Sequence, residues 1–187
     1  MNANAERSRG AIHLLAVGEV NLRLLQQVSE DLAEAFGCDC RALATHLNPE
    51  FALHPTRQQY YSTEVLGRMR PFVQPGTWRL LGVTELDLYI PILTFVFGEA
   101  QVGDSCAIVS AHRLRQEFYG LPAENSLLRE RLLKEAVHEL GHTLHLPHCD
   151  NYGCVMAPSH AVEWIDLKGV SFCRPCWEHA VAMNSGA

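Results

Sequence analysis

Residues 138 to 149 read HELGHTLHLPHC, with four histidines, a glutamate and a cysteine in twelve positions. Four residues advance an α-helix by about one turn, so His138 and His142 share a face, about 6 Å apart along its axis. Two imidazoles placed in this way can converge on one cation at roughly 2.0 to 2.1 Å each, a distance that suits zinc. Glu139 stands next to His138 and points off the ligand axis, where its carboxylate can hold a metal-bound water rather than the metal. Zinc brings the pKa of such a water towards neutrality, and the carboxylate can take its proton as the water attacks a carbonyl. The bare H-E-x-x-H pattern also arises by chance on helices that bind nothing, so its surroundings must carry part of the argument.

A third ligand has to come from beyond the helix. Pro147 disfavours the helical conformation for Leu146 and ends the helix near His145. The chain can then turn back and present His148. Three histidines leave the fourth zinc position to water, which is the arrangement of a catalytic site. Cys149, Cys154, Cys173 and Cys176 form a second group. Two pairs separated by a loop match a closed four-cysteine zinc site, which would staple a segment that has little core of its own. The competing readings of Cys173-Arg-Pro-Cys176 are a thioredoxin-like redox pair and unconnected thiols. A redox pair normally opens a helix in an N-terminal βαβ unit, and this one stands near the other end.

These residues need a frame. AIHLLAVGEV (11 to 20) reads as a buried strand. A helix with Leu22, Leu25, Val28, Leu32 and Ala35 at helical spacing follows it, with Gly37 as its stop. CDCRALATHL reads as a second strand and QQYYSTEVLGRMRPF as a second helix. WRLLGVTELDLY, TFVFGEAQVG and SCAIVSAHRL read as three more strands. A long helix is expected over 125 to 144, where Leu128, Leu132, Ala136, Leu140 and Leu144 recur every four residues and Glu130 and Lys134 form a surface pair. The chain beyond it reads as irregular until RPCWEHAVAMN, a short helix with Pro175 in its first turn. The order implies an α/β (α+β) fold, a mixed twisted sheet with helices packed on it. One domain is expected over 1–187. Residues 1–148 would hold the sheet and the active-site helix, and 149–187 the irregular, zinc-stapled part.

At 187 residues the chain can bury a proper core, and 48% hydrophobic with 19% charged residues is an ordinary soluble composition. A net charge of −6 and a pI near 5.9 argue against a nucleic-acid partner. LDLYIPILTFVF (86 to 97) is too short and too interrupted to span a membrane. The polar start MNANAERSRG lacks an apolar signal core, and the seven cysteines are odd in number, so a cytoplasmic location with reduced or metal-bound thiols is expected. A monomer is favoured.

The run His138-Glu139-x-x-His142, His148-Cys149, Cys154-x-Met156 and the later Cys-x-x-Cys closely resembles the archaemetzincins, zinc metallopeptidases of the metzincin clan. LYIPILTFVFGEAQVGDSCAIVSAHRLRQEFYG is similar to the same family, so the likeness covers most of the chain from about residue 80. The resemblance implies a catalytic zinc on His138, His142 and His148, with Glu139 as general base. It also implies a second, structural zinc on Cys149, Cys154, Cys173 and Cys176, and makes Met156 the methionine packed beneath the metal. It implies peptide substrates, short ones in the members tested and sometimes cleaved in aminopeptidase fashion. TFVFGEAQVG would be the edge strand that pairs with an extended substrate. The chain departs from the family at His145, where glycine is usual, and by a Met156-to-Cys173 gap about one residue short.

His145 falls where a left-handed residue is wanted, so it reads as a turn residue rather than a ligand. His13, His46, His54, His112, His160 and His179 read as hydrogen-bonded or surface histidines, with His160 close enough to Met156 to line a cleft. Cys38, Cys40 and Cys106 read as small hydrophobes. Several metzincins carry a tyrosine two residues after the methionine; Pro158 stands there, and Tyr152 nearby has no assigned role. Two other functions compete with a zinc peptidase. One is a zinc-stabilised binding or regulatory protein whose catalytic site is weak or lost, favoured by a misplaced His148. The other is a three-histidine endoribonuclease, disfavoured by Glu139, the four cysteines and the acidic balance.

Overall fold

A computed structural model of the chain describes residues 10–184. Residues 1–9, which carry most of the polar start, lie outside the described residues. In chain order the elements are β1 (Ala11–Val17), α1 (Leu22–Phe36), β2 (Cys40–Leu47), β3 (Leu53–His54), β4 (Gln59–Tyr61) and α2 (Ser62–Met69). β5 (Thr77–Thr84), β6 (Leu88–Tyr89), β7 (Gly98–Ala100) and β8 (Cys106–Ser110) follow. α3 (Asn125–Thr143), α4 (Val162–Leu167) and α5 (Arg174–Asn184) complete the chain.

The main sheet has the order β2-β1-β5-β8-β7. Its first four strands run parallel, and β7 closes one edge antiparallel to β8. Parallel strands are covered on both faces, and alternation sorts their side chains. Ile12, Leu14, Leu81, Val83, Ala107 and Val109 face α1 and α3, whereas Leu15, Val17, Leu80 and Ile108 face α2. This is the expected mixed α/β architecture.

The ends of α1 follow from its caps. The Asn21 side chain accepts the N–H groups of Arg23 and Leu24, and Gly37 stops the helix at φ 61°. In the first turn Leu22 is exposed, whereas Leu24 and Leu25 are buried. The sequence reading errs more clearly where one run was given one element. QQYYSTEVLGRMRPF divides into β4 and α2, since Tyr60 and Tyr61 pair with Leu88 and Tyr89, leaving the helix to begin at Ser62. With β3 these strands form a second, small sheet that the sequence reading lacks. TFVFGEAQVG contributes only the three residues of β7, and α4 lies in the stretch expected to be irregular.

α3 positions the site. It packs across β8 and β7, with Leu128, Leu132, Ala136, Leu140 and Leu144 all buried. Arg79 of β5 donates to the Thr143 hydroxyl (2.8 Å) and carbonyl (3.3 Å), placing a cation at the negative end of the helix. Lys134 does pair with Glu130 at 2.7 Å, yet it is buried and not part of a surface pair, because its ammonium also reaches the Ile165 carbonyl at 3.1 Å. Arg131 grips the Asp166 carboxylate with two bonds of 2.7 Å, so α4 is tied to α3 by charge as well as by packing. Among the described residues no helix is long and apolar enough to cross a membrane.

Candidate metal centres and active-site cleft

His138 and His142 lie one turn apart on α3, with Nε2 atoms separated by 3.1 Å. Each ring's outer nitrogen meets a backbone carbonyl: His138 Nδ1 donates to Val155 O and His142 Nδ1 to Leu146 O, both at 2.8 Å. A carbonyl only accepts, so both Nδ1 atoms carry the proton and both Nε2 atoms are left as acceptors. Two acceptors 3.1 Å apart repel unless a cation stands between them. His148 completes the group, its ring centroid 5.3 Å from that of His138 and 5.0 Å from that of His142, with the candidate ligand atoms of all three within 4.8 Å of one another. A tetrahedral zinc would space such nitrogens roughly 3.3 Å apart. The donor set therefore fits a zinc ion. Burial, chiefly, holds all three imidazoles below their usual pKa, and the Lys168 ammonium adds to the effect, so they stand neutral as ligands must.

The end of α3 brings His148 into place. His145 has φ 64°, its N–H bonds to His142 O at 3.0 Å, and Leu146 N–H bonds to Gly141 O at 3.2 Å. That is the paired-bond helix stop with a left-handed residue where glycine is commonest. The His145 side chain is exposed and stays outside the convergent group. Its ring occupies the space a Cβ on Gly103 would need, holding the 101–104 turn against the helix end. Replacing His145 by glycine is expected to leave the zinc content unchanged and to alter stability by between zero and about +1 kcal/mol, a melting rise of up to ~4 °C. Metal analysis and thermal unfolding of His145→Gly check both.

Glu139 is 6% exposed and sits at the floor of a cleft of about 400 Å³. Burial first, and then the neighbouring Glu135 carboxylate, push its pKa well above the usual carboxylate range, while Lys168 opposes them. The upper wall is the segment 93–100. Phe97 O accepts from Ser110 and Gln101 N–H donates to Cys106 O, so the backbone groups of Gly98 and Ala100 face outward from the sheet edge. A Cβ on Gly98 would stand 2.6 Å from Glu139 Cγ and 2.6 Å from the Ile108 carbonyl. Because a strand carbonyl cannot retreat, Gly98→Ala should turn the Glu139 carboxylate aside. We expect peptide cleavage to fall about 10²-fold with zinc retained, as measured by steady-state kinetics and metal analysis.

The lower wall follows α3 and His148. Met156 is buried, and its sulfur would lie 2.4 Å from a Cβ on Gly141, so the glycine lets the methionine pack directly beneath the histidine helix. Pro158, Ser159 and His160 continue the wall, so His160 does line the cleft. Tyr152 is exposed and packs edge-on to Trp164 at 6.5 Å, outside the cleft lining. Three of the remaining histidines bond elsewhere: His13 to Thr77 and Arg41, His54 to the Arg57 N–H, His112 to the Glu85 carbonyl.

The second cysteine group also converges. Cys149, Cys154, Cys173 and Cys176 place their sulfurs within 4.8 Å of one another, with Cys149 and Cys173 at 3.7 Å. Four thiolates about 2.3 Å from one zinc stand roughly 3.8 Å apart, so this donor set too fits the metal. The Cys173 N–H points at the Cys154 sulfur at 3.3 Å, and the Cys176 N–H leads the groups that pull the Cys173 thiol down in pKa. Cys106 is buried, and Cys38 and Cys40 pack on the core, as small hydrophobes do; burial pushes the Cys40 thiol up to about 11.

Sequence reasoning missed Gly98, Glu135 and Lys168. Glu135 had a signal, since it precedes His138 by three and so shares its helix face. Gly98 and Lys168 gave none, because only tertiary contact makes them part of the site.

Among known proteins, the model of peptidase family M54 matches residues 59–181. An archaemetzincin of Methanocaldococcus jannaschii is 42% identical over 160 residues, covering 86% of this chain and 87% of that one. The crystal structure of a zinc-dependent peptidase from Methanocorpusculum labreanum is similar with a TM-score of 0.81 and 34% identity, covering 90% of this chain and 99% of that one. That of an archaemetzincin from Archaeoglobus fulgidus, complexed with malonate, is similar with a TM-score of 0.79 and 37% identity over the same shares. The chain belongs to peptidase family M54, the archaemetzincin family of zinc metallopeptidases.

Proposed function

We propose that the chain hydrolyses peptide bonds with a catalytic zinc held by His138, His142 and His148 and with Glu139 as general base. A second, structural zinc would be held by Cys149, Cys154, Cys173 and Cys176. The observation that carries this reading is the pair of Nε2 acceptors 3.1 Å apart, beside the buried Glu139 carboxylate. When bound, zinc supplies Lewis acidity, acidifying water and polarising a carbonyl oxygen.

The chain's own residues do the rest. An extended peptide adds to the free edge at Gly98 and Ala100 through backbone bonds, which tolerate many sequences and favour short, unfolded substrates. Glu139 takes the proton of the attacking water and returns it to the leaving amine. Burial and the adjacent Glu135 raise its pKa above the usual carboxylate range, which makes the ionised carboxylate a stronger proton acceptor. Cleavage of matched peptides with free and acetylated N-termini tests the aminopeptidase-like mode, which predicts that acetylation abolishes turnover.

The rival reading, a binding protein with a lost active site, drew its motive from a His145 that misplaces His148. The closed helix stop and the place of His148 beside its partners favour the peptidase reading. Zinc per chain and peptide cleavage for the wild type and for His142→Ala test the proposal. Two zincs falling to one, with cleavage lost and the cysteine site still loaded, is the expected result. One zinc in the wild type, displaced only by cysteine substitutions, would sink it.

A further inference from the structure

The reaction scheme leaves one buried pair of charges unused. Lys168 follows α4 with its side chain 1% exposed, and its Nζ lies 2.8 Å from Oε1 of Glu135, itself 4% exposed. Nζ also donates to the Ala157 carbonyl at 3.2 Å. It stands 3.4 Å from His138 Nδ1, but that nitrogen's own hydrogen goes to Val155 O, so the ammonium adjoins the ring without bonding to it. Glu135 reaches this point from α3, one turn before His138.

Three successive carbonyls of the turn 155–157 thus hold three different parts of the site. Val155 O takes the His138 ring. Met156 O takes the N–H of Cys149, the residue after His148, at 2.9 Å. Ala157 O takes Lys168. The first two bonds set the plane of one imidazole and the return path of another. The third fixes the turn relative to α3, because the other end of the ammonium's reach is Glu135 on that helix. Burying an ammonium and a carboxylate carries a desolvation cost that a packed apolar pair joining the same elements would avoid. An apolar pair, however, cannot bond a carbonyl and pull on a carboxylate at once. The charges are explained by placement better than by stability.

We infer that Lys168, through Glu135 and Ala157, is a positioning residue that holds the Met156 turn where His138 can meet the metal. The inference rests on the histidine ligands proposed above. Groups that orient a ligating histidine typically change metal affinity by about 10- to 100-fold when removed.

The test measures zinc affinity at the histidine site by competition with a chelating dye, alongside cysteine-site zinc and the melting temperature. Lys168→Met alone strands a buried carboxylate and can unfold the chain, so the decisive variant is the double substitution Glu135→Met with Lys168→Met, which removes both charges. It should fold, keep its cysteine-site zinc, and bind histidine-site zinc about 10- to 100-fold more weakly than the wild type. Arg131→Met, which cuts the tie between α3 and α4, should lower the melting temperature and leave that affinity unchanged. Wild-type affinity in the double variant, beside a clear loss in His138→Ala, overturns the inference alone. An equal loss in Arg131→Met also overturns it, since general loosening would then suffice. An unchanged affinity in His138→Ala removes the ligand assignment, and the inference with it.

Discussion

Replacing Cys154 by serine should unfold the C-terminal part of the chain and empty both metal sites. Cys154 is buried at the centre of the cysteine group and accepts the Cys173 N–H through its sulfur. A hydroxyl is a poor zinc ligand, and the binding free energy of a structural four-ligand zinc is on the order of 10 kcal/mol, comparable with the whole net stability of an ordinary domain. Residues 149 to 184 bury only a few side chains in the core, among them Val155, Met156, Val162, Ile165 and Ala180. α4 has six residues, and much of its attachment to α3 runs through Arg131, Lys134 and Lys168. The loss should travel to the histidines, because Cys149 adjoins His148 and the turn that orients His138 begins at Cys154. His142→Ala makes the contrast: four thiolates still close the segment, so one zinc is lost there instead of two. Metal analysis and hydrogen exchange over residues 149 to 184 measure both. A Cys154→Ser protein that keeps the histidine-site zinc and a protected C-terminal segment would show that the segment folds on its own core.

That the three histidines converge, and separately the four cysteines, was legible in the sequence for a physical reason: much of their spacing is local. A helix places i and i+4 side by side whatever surrounds it, Pro147 ends that helix, and a Cys-x-x-Cys pair is compact in any fold. The His145 turn was legible likewise, since a helix stop before Leu-Pro needs φ above zero, and the structure gives 64°. The small sheet was not, because two- and three-residue strands such as β6 and β4 exist only through each other, and Tyr60 and Tyr61 fit a helical pattern equally well alone. Lys134 and Lys168 were illegible for the same reason. A lysine in sequence reads as solvated, and only tertiary contacts bury them, Lys134 at the Ile165 carbonyl of α4 and Lys168 between Glu135 and the Ala157 carbonyl. Gly98 becomes critical only because α3 presents Glu139 to a strand residue 41 positions before it, a contact that no local pattern encodes.

Glu139→Gln is expected to lower peptide cleavage by about 10² to 10⁴-fold while zinc content stays at the wild-type level. The amide keeps the shape and much of the hydrogen bonding of the carboxylate but cannot accept the proton of water. A loss of rate therefore measures proton transfer rather than packing. The same substitution should stabilise the protein once the histidine site is stripped by mild chelation. Burial and the adjacent Glu135 raise the Glu139 pKa in the folded state, so the native chain holds this proton more tightly than the unfolded one. The contribution of Glu139 to stability is then full below its unfolded value of 4.5 and is lost as pH rises towards the folded pKa. The histidines titrate in both proteins, and their effects largely cancel in the comparison. The melting temperature of stripped Glu139→Gln should thus pull ahead of the stripped wild type between about pH 4.5 and neutrality. A gap that stays constant across that range would mean that Glu139 ionises freely, and a variant that retains cleavage would exclude it as the base. Gain in stability with loss of rate is what a site held against its own electrostatics predicts, since the buried carboxylate is tolerated for the chemistry alone.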